Sequence, residues 1–99
     1  MQGFDLERDI LRQVRDYLAW HGWMTIRFQQ GLGSHKGLSD LVAIKDGRTI
    51  WIEVKTRRGN LSSHQIKFQE QINLHEGTYW VIRSLDQLMK KLNEKGGRE

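Results

Sequence analysis

Residues Gly37–Thr56, GLSDLVAIKDGRTIWIEVKT, carry the pattern of one β-hairpin, and the rest of the chain is arranged around it. Asp46 and Gly47 form a dipeptide that is favoured in two-residue hairpin turns, where both central residues need a positive φ. Apolar and β-branched residues flank this dipeptide on both sides. When the residues are paired outward from the turn, Asp40 on the first strand is predicted to lie opposite Glu53 on the second.

The open end of this hairpin is a candidate metal site. Side chains directly opposed on two strands have Cβ atoms about 4.5–5.5 Å apart, and two like charges at that distance are destabilising unless a cation lies between them. Asp40 and Glu53 could both ligate one divalent ion, and hard oxygen ligands suit Mg²⁺ or Mn²⁺. Alternation along the strands predicts that one face of the hairpin packs in the core and comprises Leu41, Ala43, Ile50, Ile52 and Val54.

Lys55 is a candidate catalytic residue because alternation places it on the same face as Glu53. Its ammonium group could position or deprotonate an attacking water, or stabilise the charge that develops at a phosphate in the transition state. A structural interpretation is also open, in which Glu53 and Lys55 are an exposed pair and Asp40 is a strand-entry residue. The spacing D…ExK arises by chance in many chains, so the surrounding sequence has to decide.

Composition limits the class of protein. The chain has 99 residues, a net charge of +4 and no cysteine, which predicts one domain over residues 1–95, a frayed tail over 96–99 and no disulfides or thiolate zinc site. No apolar run approaches the roughly 20 residues of a membrane span and no secretory signal is visible, so we expect a cytoplasmic protein. The positive charge permits a polyanionic partner without requiring one.

Two helices bracket the hairpin and bring further polar groups toward it. Apolar residues at helical spacing predict helix one from Asp5 to about His21, and Glu7 projects from the buried stripe of that helix. Glu7 could complete the acidic cluster, or it could be a first-turn residue favoured by the helix dipole. Ser62-x-x-Gln65 has the form of a capping box that opens helix two. Gln65 could therefore serve the cap or point its amide at the site.

Two loops are candidate DNA contacts. A strand is predicted from Trp23 to Gln29, and the glycine-rich loop 30–37 that follows it carries His35 and Lys36 directly before Asp40. The turn after the hairpin carries Arg57 and Arg58. Each loop could contact phosphates, or it could be a solvated connection.

The C-terminal third completes an α/β architecture. Residues 78–83, TYWVIR, read as a strand covered on both faces, and Ser84-x-x-Gln87 opens helix three. The predicted element order is α-β-β-β-α-β-α, a mixed central sheet flanked by helices. The four histidines show no zinc-ligand spacing.

These motifs together resemble the virus-type replication-repair nuclease (VRR-NUC) family of the PD-(D/E)XK nuclease superfamily, which has a restriction-endonuclease-like core. The residues that carry the resemblance are Glu7, Gly37-x-x-Asp40-Leu41, Ile52-Glu53-Val54-Lys55-Thr56, Leu61-Ser62-x-x-Gln65-x-x-Phe68 and Gly77-x-Tyr79. Ser39 stands where this superfamily usually has proline. Since proline at that position stiffens strand entry and does no chemistry, we expect activity to survive.

The resemblance implies a role for each matching residue. Asp40 and Glu53 would ligate Mg²⁺ or Mn²⁺, with the backbone carbonyl of Val54 as a further ligand and Glu7 supporting the metal directly or through water. Lys55 and Gln65 would orient the nucleophile. No small-molecule cofactor is expected.

The implied function is a metal-dependent endodeoxyribonuclease that hydrolyses phosphodiester bonds. Small stand-alone members of the family look like viral or bacterial homodimers that cut branched DNA such as Holliday junctions, which implies DNA as partner, a second copy of the chain and a place in DNA repair. Two alternatives remain open: a catalytically inactive basic DNA-binding module on the same fold, and a nuclease for flaps, nicks or non-specific DNA.

Overall fold

The computed structural model describes residues 6–29, 31 and 33–96. Three helices and four strands follow the predicted order α-β-β-β-α-β-α. Their bounds are α1 Glu7–Trp20, β1 Met24–Arg27, β2 Leu41–Lys45, β3 Arg48–Val54, α2 Ser63–Leu74, β4 Thr78–Ile82 and α3 Leu85–Gly96.

The strands form one mixed sheet in the order β1-β2-β3-β4. The pairs β1–β2 and β2–β3 are antiparallel, whereas β3 and β4 are parallel because α2 crosses over between them. The hairpin prediction is confirmed: Leu41 pairs with Ile52, and Asp46 and Gly47 have φ values of 50° and 81° at the turn. This register places Asp40 across from Glu53, one step beyond the last pair.

The core lies between one face of the sheet and helices α1 and α3. The predicted packing face of the hairpin is confirmed, since its five apolar residues are all at most 1% exposed. They meet Ile10, Leu11, Val14 and Leu18 of α1 and Leu88 of α3. By burying these apolar side chains the core fixes the hairpin, and therefore the position of its open end.

The opposite face of the sheet is covered by α2 only along β3 and β4. Phe68 of α2 contacts Trp51 edge-on with ring centroids 5.8 Å apart, and Tyr79 with centroids 6.0 Å apart. On β1, Met24 and Ile26 remain 56% and 42% exposed. Burial on this face is therefore greatest beside Glu53.

The structure refines several predicted boundaries. Strand β1 is shorter than the predicted 23–29, since it pairs with β2 over only four residues. The capping box of α2 is confirmed, and the predicted coverage of β4 on both faces is confirmed because Tyr79 and Trp80 are both buried. Helix α3 is described as far as Gly96, and the frayed tail predicted over 96–99 stays a prediction. Asp5, the predicted start of helix one, and residues 97–99 lie outside the described residues.

Within the described part of the chain, no helix is both long enough and apolar enough to cross a membrane.

Candidate active site

A cleft at the open end of the β2–β3 hairpin contains all of the acidic side chains, both lysines and the glutamine that the sequence singled out. It is lined by the carboxylates Glu7, Asp40 and Glu53, by Lys36 and Lys55, and by residues of the α2 N-terminus that include Ser62, His64 and Gln65. These groups come from α1, from the loop before β2, from β3 and from α2. Four separate segments of the chain therefore meet here, and the hairpin register holds them at its centre.

Asp40 is fixed by the strand opposite it. Its Oδ2 accepts a 2.7 Å hydrogen bond from the backbone N–H of Val54, while the Asp40 carbonyl accepts a bond from the N–H of Phe28. Burial raises the pKa of the Asp40 carboxyl above its usual range, the Val54 N–H opposes that rise, and the charge of Glu7 adds to it. Asp40 is therefore rigidly placed, with one oxygen engaged and a carboxylate that gains from a nearby cation.

Glu53 is a buried carboxylate, only 3% exposed. Its Oε2 is 3.5 Å from the ammonium Nζ of Lys55 and accepts a 3.0 Å bond from the side-chain amide of Gln65. Its Oε1 is buried and has no hydrogen-bond partner among the described residues. Burial, and next the charge of Asp40, raise the pKa of Glu53 to about 7, although Lys55 acts in the opposite direction.

Gln65 fills both of the roles that the sequence left open. Its Oε1 accepts a 2.8 Å bond from the backbone N–H of Ser62, which closes the capping box, and its Nε2 donates to Glu53. The reciprocal bond runs from the Gln65 backbone N–H to the Ser62 hydroxyl. The start of α2 is thus tied to the carboxylate at the centre of the cleft.

Glu7 lies at the rim of the same cleft and is exposed. Its charge raises the pKa of both Asp40 and Glu53, so the three carboxylates are electrostatically coupled. Among the described residues, however, no three His, Cys, Asp or Glu side chains are close enough together to hold one ion. This geometry favours a Glu7 that supports a metal ion through water over a Glu7 that ligates the ion directly.

The end of the glycine-rich loop, residues 35–37, packs against α2 beside the cleft. Gly37 has a φ of 77°, and a Cβ at this position would overlap the backbone of His64, so only glycine permits this close approach. Lys36 lines the cleft, and the His35 ring lies on Phe68 with centroids 5.5 Å apart. Both are exposed, as a contact with DNA requires.

Arg57 and Arg58 lie at the tip of the turn that leaves β3, and both side chains are exposed. The turn is closed by a bond from the Gly59 N–H to the Thr56 carbonyl. Because this turn follows Lys55 directly, its two cations lie at the same end of the hairpin as the carboxylates.

Tyr79 belongs to the surroundings of the site, although sequence reasoning did not place it there. Its hydroxyl is buried without a hydrogen-bond partner among the described residues, and after burial itself the charges of Glu53 and Asp40 contribute most to raising its pKa. It pairs with Trp51 across the parallel β3–β4 ladder and so shares the Glu53 face. A parallel pairing between distant segments leaves no local sequence signal.

The residues at the cleft fit a divalent cation. Asp40 and Glu53 offer hard oxygen donors, Glu53 retains one buried acceptor without a partner, and both carboxyls have raised pKa values that a cation would lower. The N–H and C=O of one residue in an extended strand point to the same side, so the Val54 carbonyl faces the side on which Asp40 lies. The donor set for such a cation would comprise two carboxylates and one carbonyl.

A mixed sheet that carries an aspartate opposite a Glu-x-Lys pair, with a glutamine from the following helix on the glutamate, is typical of nucleases of the PD-(D/E)XK type. The comparisons with known proteins agree with this class. A family model described as archaeal Holliday junction resolvase (Hjc) matches residues 1–78. The chain belongs to this Hjc family, and the nuclease resemblance predicted from the sequence is confirmed.

A solved structure described as a VRR_NUC domain has the same fold. It superposes with a TM-score of 0.73 at 20% sequence identity, covering 89% of this chain and 94% of that chain. The restriction-endonuclease-like α/β architecture predicted from the sequence is thereby confirmed. No curated protein matches the chain.

Proposed function

We propose that this nuclease is a Mg²⁺- or Mn²⁺-dependent endonuclease that hydrolyses phosphodiester bonds in branched DNA such as Holliday junctions. The observation that carries the proposal is the pairing of Asp40 with Glu53 at the hairpin end, where Glu53 keeps a buried oxygen without a partner among the described residues. Membership of the Hjc family supports the choice of DNA substrate.

The ion would be held by the carboxylates of Asp40 and Glu53 and by the Val54 carbonyl, with Glu7 acting through water. When bound, Mg²⁺ or Mn²⁺ supplies positive charge that stabilises the negative charge developing on the phosphate oxygens. The Val54 N–H keeps Asp40 in place, and the Gln65 amide keeps Glu53 in place. The chain's own bonds thus orient its two carboxylates before any ion enters.

Lys55 is the cationic catalytic residue in this proposal. Its ion pair with Glu53 keeps the ammonium group over the cleft, and its side chain is only 12% exposed. A positive charge in so dry a position stabilises a phosphorane-like transition state much more strongly than a charge in water would. We therefore assign Lys55 to charge stabilisation and to orientation of the attacking water.

The DNA backbone would lie across the two basic loops at the cleft. Lys36 and His35 lie on one side of it, and Arg57 and Arg58 lie on the turn that follows β3. Two strands of a junction must be cut to resolve it, and the described residues form one such cleft per chain. We therefore propose that two copies act together as a homodimer.

A cleavage assay on defined substrates tests the proposal. End-labelled four-way junction, flap, nicked and linear DNA are incubated with the protein in Mg²⁺ or Mn²⁺, and with chelator. We expect paired symmetric nicks in the junction that require metal. Asp40→Asn should lower the rate by more than about 100-fold, since ligand loss costs at least as much as loss of a group that supports a ligand. Lys55→Ala should lower it by about 10²–10³-fold.

The other outcomes distinguish the alternatives. Junction binding without metal-dependent products would favour an inactive DNA-binding module. Equal cleavage of flap, nicked and linear DNA would favour a less selective nuclease, and a single unpaired nick would argue against the homodimer. Cleavage by Asp40→Asn at the wild-type rate would show that this cleft is not the active site.

A further inference from the structure

We propose that Arg83 is a positioning residue of this nuclease: its guanidinium holds the turn that joins Lys55 to Gln65 and so sets both groups against Glu53. This inference rests on the proposed function. Arg83 follows the last residue of β4, and no motif in the sequence singles it out.

The Arg83 side chain contacts the turn through a single nitrogen atom. Arg83 Nη1 donates to the carbonyls of Thr56 and Gly59, each at 2.7 Å, and lies 3.5 Å from the carbonyl of Arg57. Thr56 O also accepts the N–H of Gly59, which closes the turn. One nitrogen of one cation therefore contacts three backbone carbonyls of this turn, and among them the Thr56 carbonyl also accepts the Gly59 N–H. Hydrogen bonds from a charged donor are stronger than neutral ones.

Arg83 is itself fixed on both sides. Its backbone N–H donates a 2.6 Å bond to the side chain of Gln87 in the first turn of α3. The preceding carbonyl, that of Ile82, accepts the N–H of Lys55 at 3.0 Å. The backbone at Arg83 is thus anchored to the sheet and to α3, while the guanidinium holds the turn.

The turn matters because of what lies at its two ends. Lys55 comes directly before it and contacts Glu53 Oε2, and a Cβ on Gly59 would contact the Lys55 side chain at 3.6 Å. A few residues after it, Gln65 contacts the same oxygen. If the turn opened, the spacing between the Lys55 ammonium and the Gln65 amide would no longer be set. The exposed Arg57 and Arg58 would lose their fixed position as well.

Replacing Arg83 should therefore reduce turnover more than DNA binding. We expect Arg83→Gln to lower kcat on the four-way junction by about 10–100-fold, because small misplacements of reacting groups have effects of that size. Junction binding, measured with chelator, should change much less, since the charges of the loops remain. Arg83→Lys keeps a cation with three donors and should recover part of the lost rate.

The control is Arg48→Gln, which removes the same charge at the hairpin turn, where Arg48 stacks on Trp23 at the opposite end of the strands. All variants are compared at a temperature where each is folded. Amide hydrogen exchange across residues 55–60 is measured in parallel, and it should accelerate in Arg83→Gln and stay unchanged in Arg48→Gln.

Two results would overturn the inference: Arg83→Gln cleaving within twofold of wild type, or unchanged exchange across the turn in that variant. If the wild-type protein cleaves no DNA with either metal, the proposed function is wrong. The exchange measurement then still decides whether Arg83 holds the turn.

Discussion

Burial and charge act against each other at Glu53. The residue is almost inaccessible to solvent, Asp40 lies beside it, and one of its oxygens has no partner among the described residues. A buried polar group without a hydrogen bond costs about 1–3 kcal/mol, and more when it is charged. The same oxygen is the one that a cation would contact in the function that we propose.

Removing the charge of Glu53 should stabilise the metal-free protein. A carboxyl whose pKa rises on folding contributes stability that is fully present below its unfolded pKa and lost as the pH rises through its folded pKa. The pKa of Glu53 rises from 4.5 to about 7, so wild type should lose about 3 kcal/mol of this contribution between pH 4.5 and pH 8. Glu53→Gln should lack that loss.

Urea unfolding in chelator at pH 5 and pH 8 checks the expectation. The difference between wild type and Glu53→Gln should be small at pH 5 and should favour the variant at pH 8. Adding Mg²⁺ or Mn²⁺ at pH 8 should stabilise wild type and leave Glu53→Gln unchanged. A wild type that gains stability relative to the variant as the pH rises would contradict the account.

Helix α2 is tied to the site through one side chain. None of its residues is buried, and Phe68 contacts the rings of Trp51 and Tyr79 on the sheet. The capping box fixes its first turn and uses the side-chain oxygen of Gln65, so the side-chain nitrogen can donate to Glu53. The element therefore gains a defined N-terminus and delivers an amide to the cleft with the same residue.

Two substitutions should separate the cap from the site. Gln65→Glu keeps the oxygen that accepts the Ser62 N–H but replaces the amide nitrogen, which donates to Glu53, with a carboxylate oxygen that cannot donate. We therefore expect a folded helix and a loss of cleavage of at least about tenfold. Ser62→Ala removes a cap contact and should lower stability by about 1 kcal/mol while cleavage persists.

Unfolding curves and junction cleavage rates, measured on both variants, provide the check. If Ser62→Ala lost as much activity as Gln65→Glu at a temperature where it is folded, the glutamine would be acting only through the helix.

The charge of the whole molecule is distributed unevenly around the cleft. The net charge is +4, yet the cleft contains three carboxylates; Lys36 lines the same cleft, and Arg57 and Arg58 lie on the turn that follows Lys55. DNA phosphates would be attracted by the loops and repelled by the acidic centre unless a cation neutralises it. Metal and DNA binding should therefore support each other.

The salt dependence of DNA binding should show whether the turn that carries Arg57 and Arg58 contacts DNA phosphates. In a double variant, Arg57→Ala with Arg58→Ala, we expect weaker junction binding and a slope of log K against log salt that is smaller by about 2, since each phosphate contact contributes close to one unit. Fluorescence anisotropy over a range of salt concentrations measures it. Arg48→Ala with Lys90→Ala removes the same charge away from the cleft and should leave the slope unchanged. Equal slopes for both double variants would place the DNA elsewhere.

Short-range sequence patterns were enough to predict the helices, the strands and the pairing of Asp40 with Glu53. The turn at Asp46 and Gly47 has one favoured pairing, and that register carries Asp40 to Glu53 without reference to any other segment. Capping motifs and helical spacing likewise depend on residues a few positions apart. These features could be derived because sequence neighbours determine them.

The hairpin, the order of the elements and the pairing of Asp40 with Glu53 follow from the amino-acid sequence alone. The burial of Glu53 under α2, the double role of Gln65, and the positions of Tyr79 on the Glu53 face and of Arg83 at the turn became visible in the folded chain. Those facts depend on the parallel pairing of β3 with β4 and on the crossover of α2 above it. The physical reason is that contacts between distant segments are selected by packing of the whole core, which no local pattern encodes.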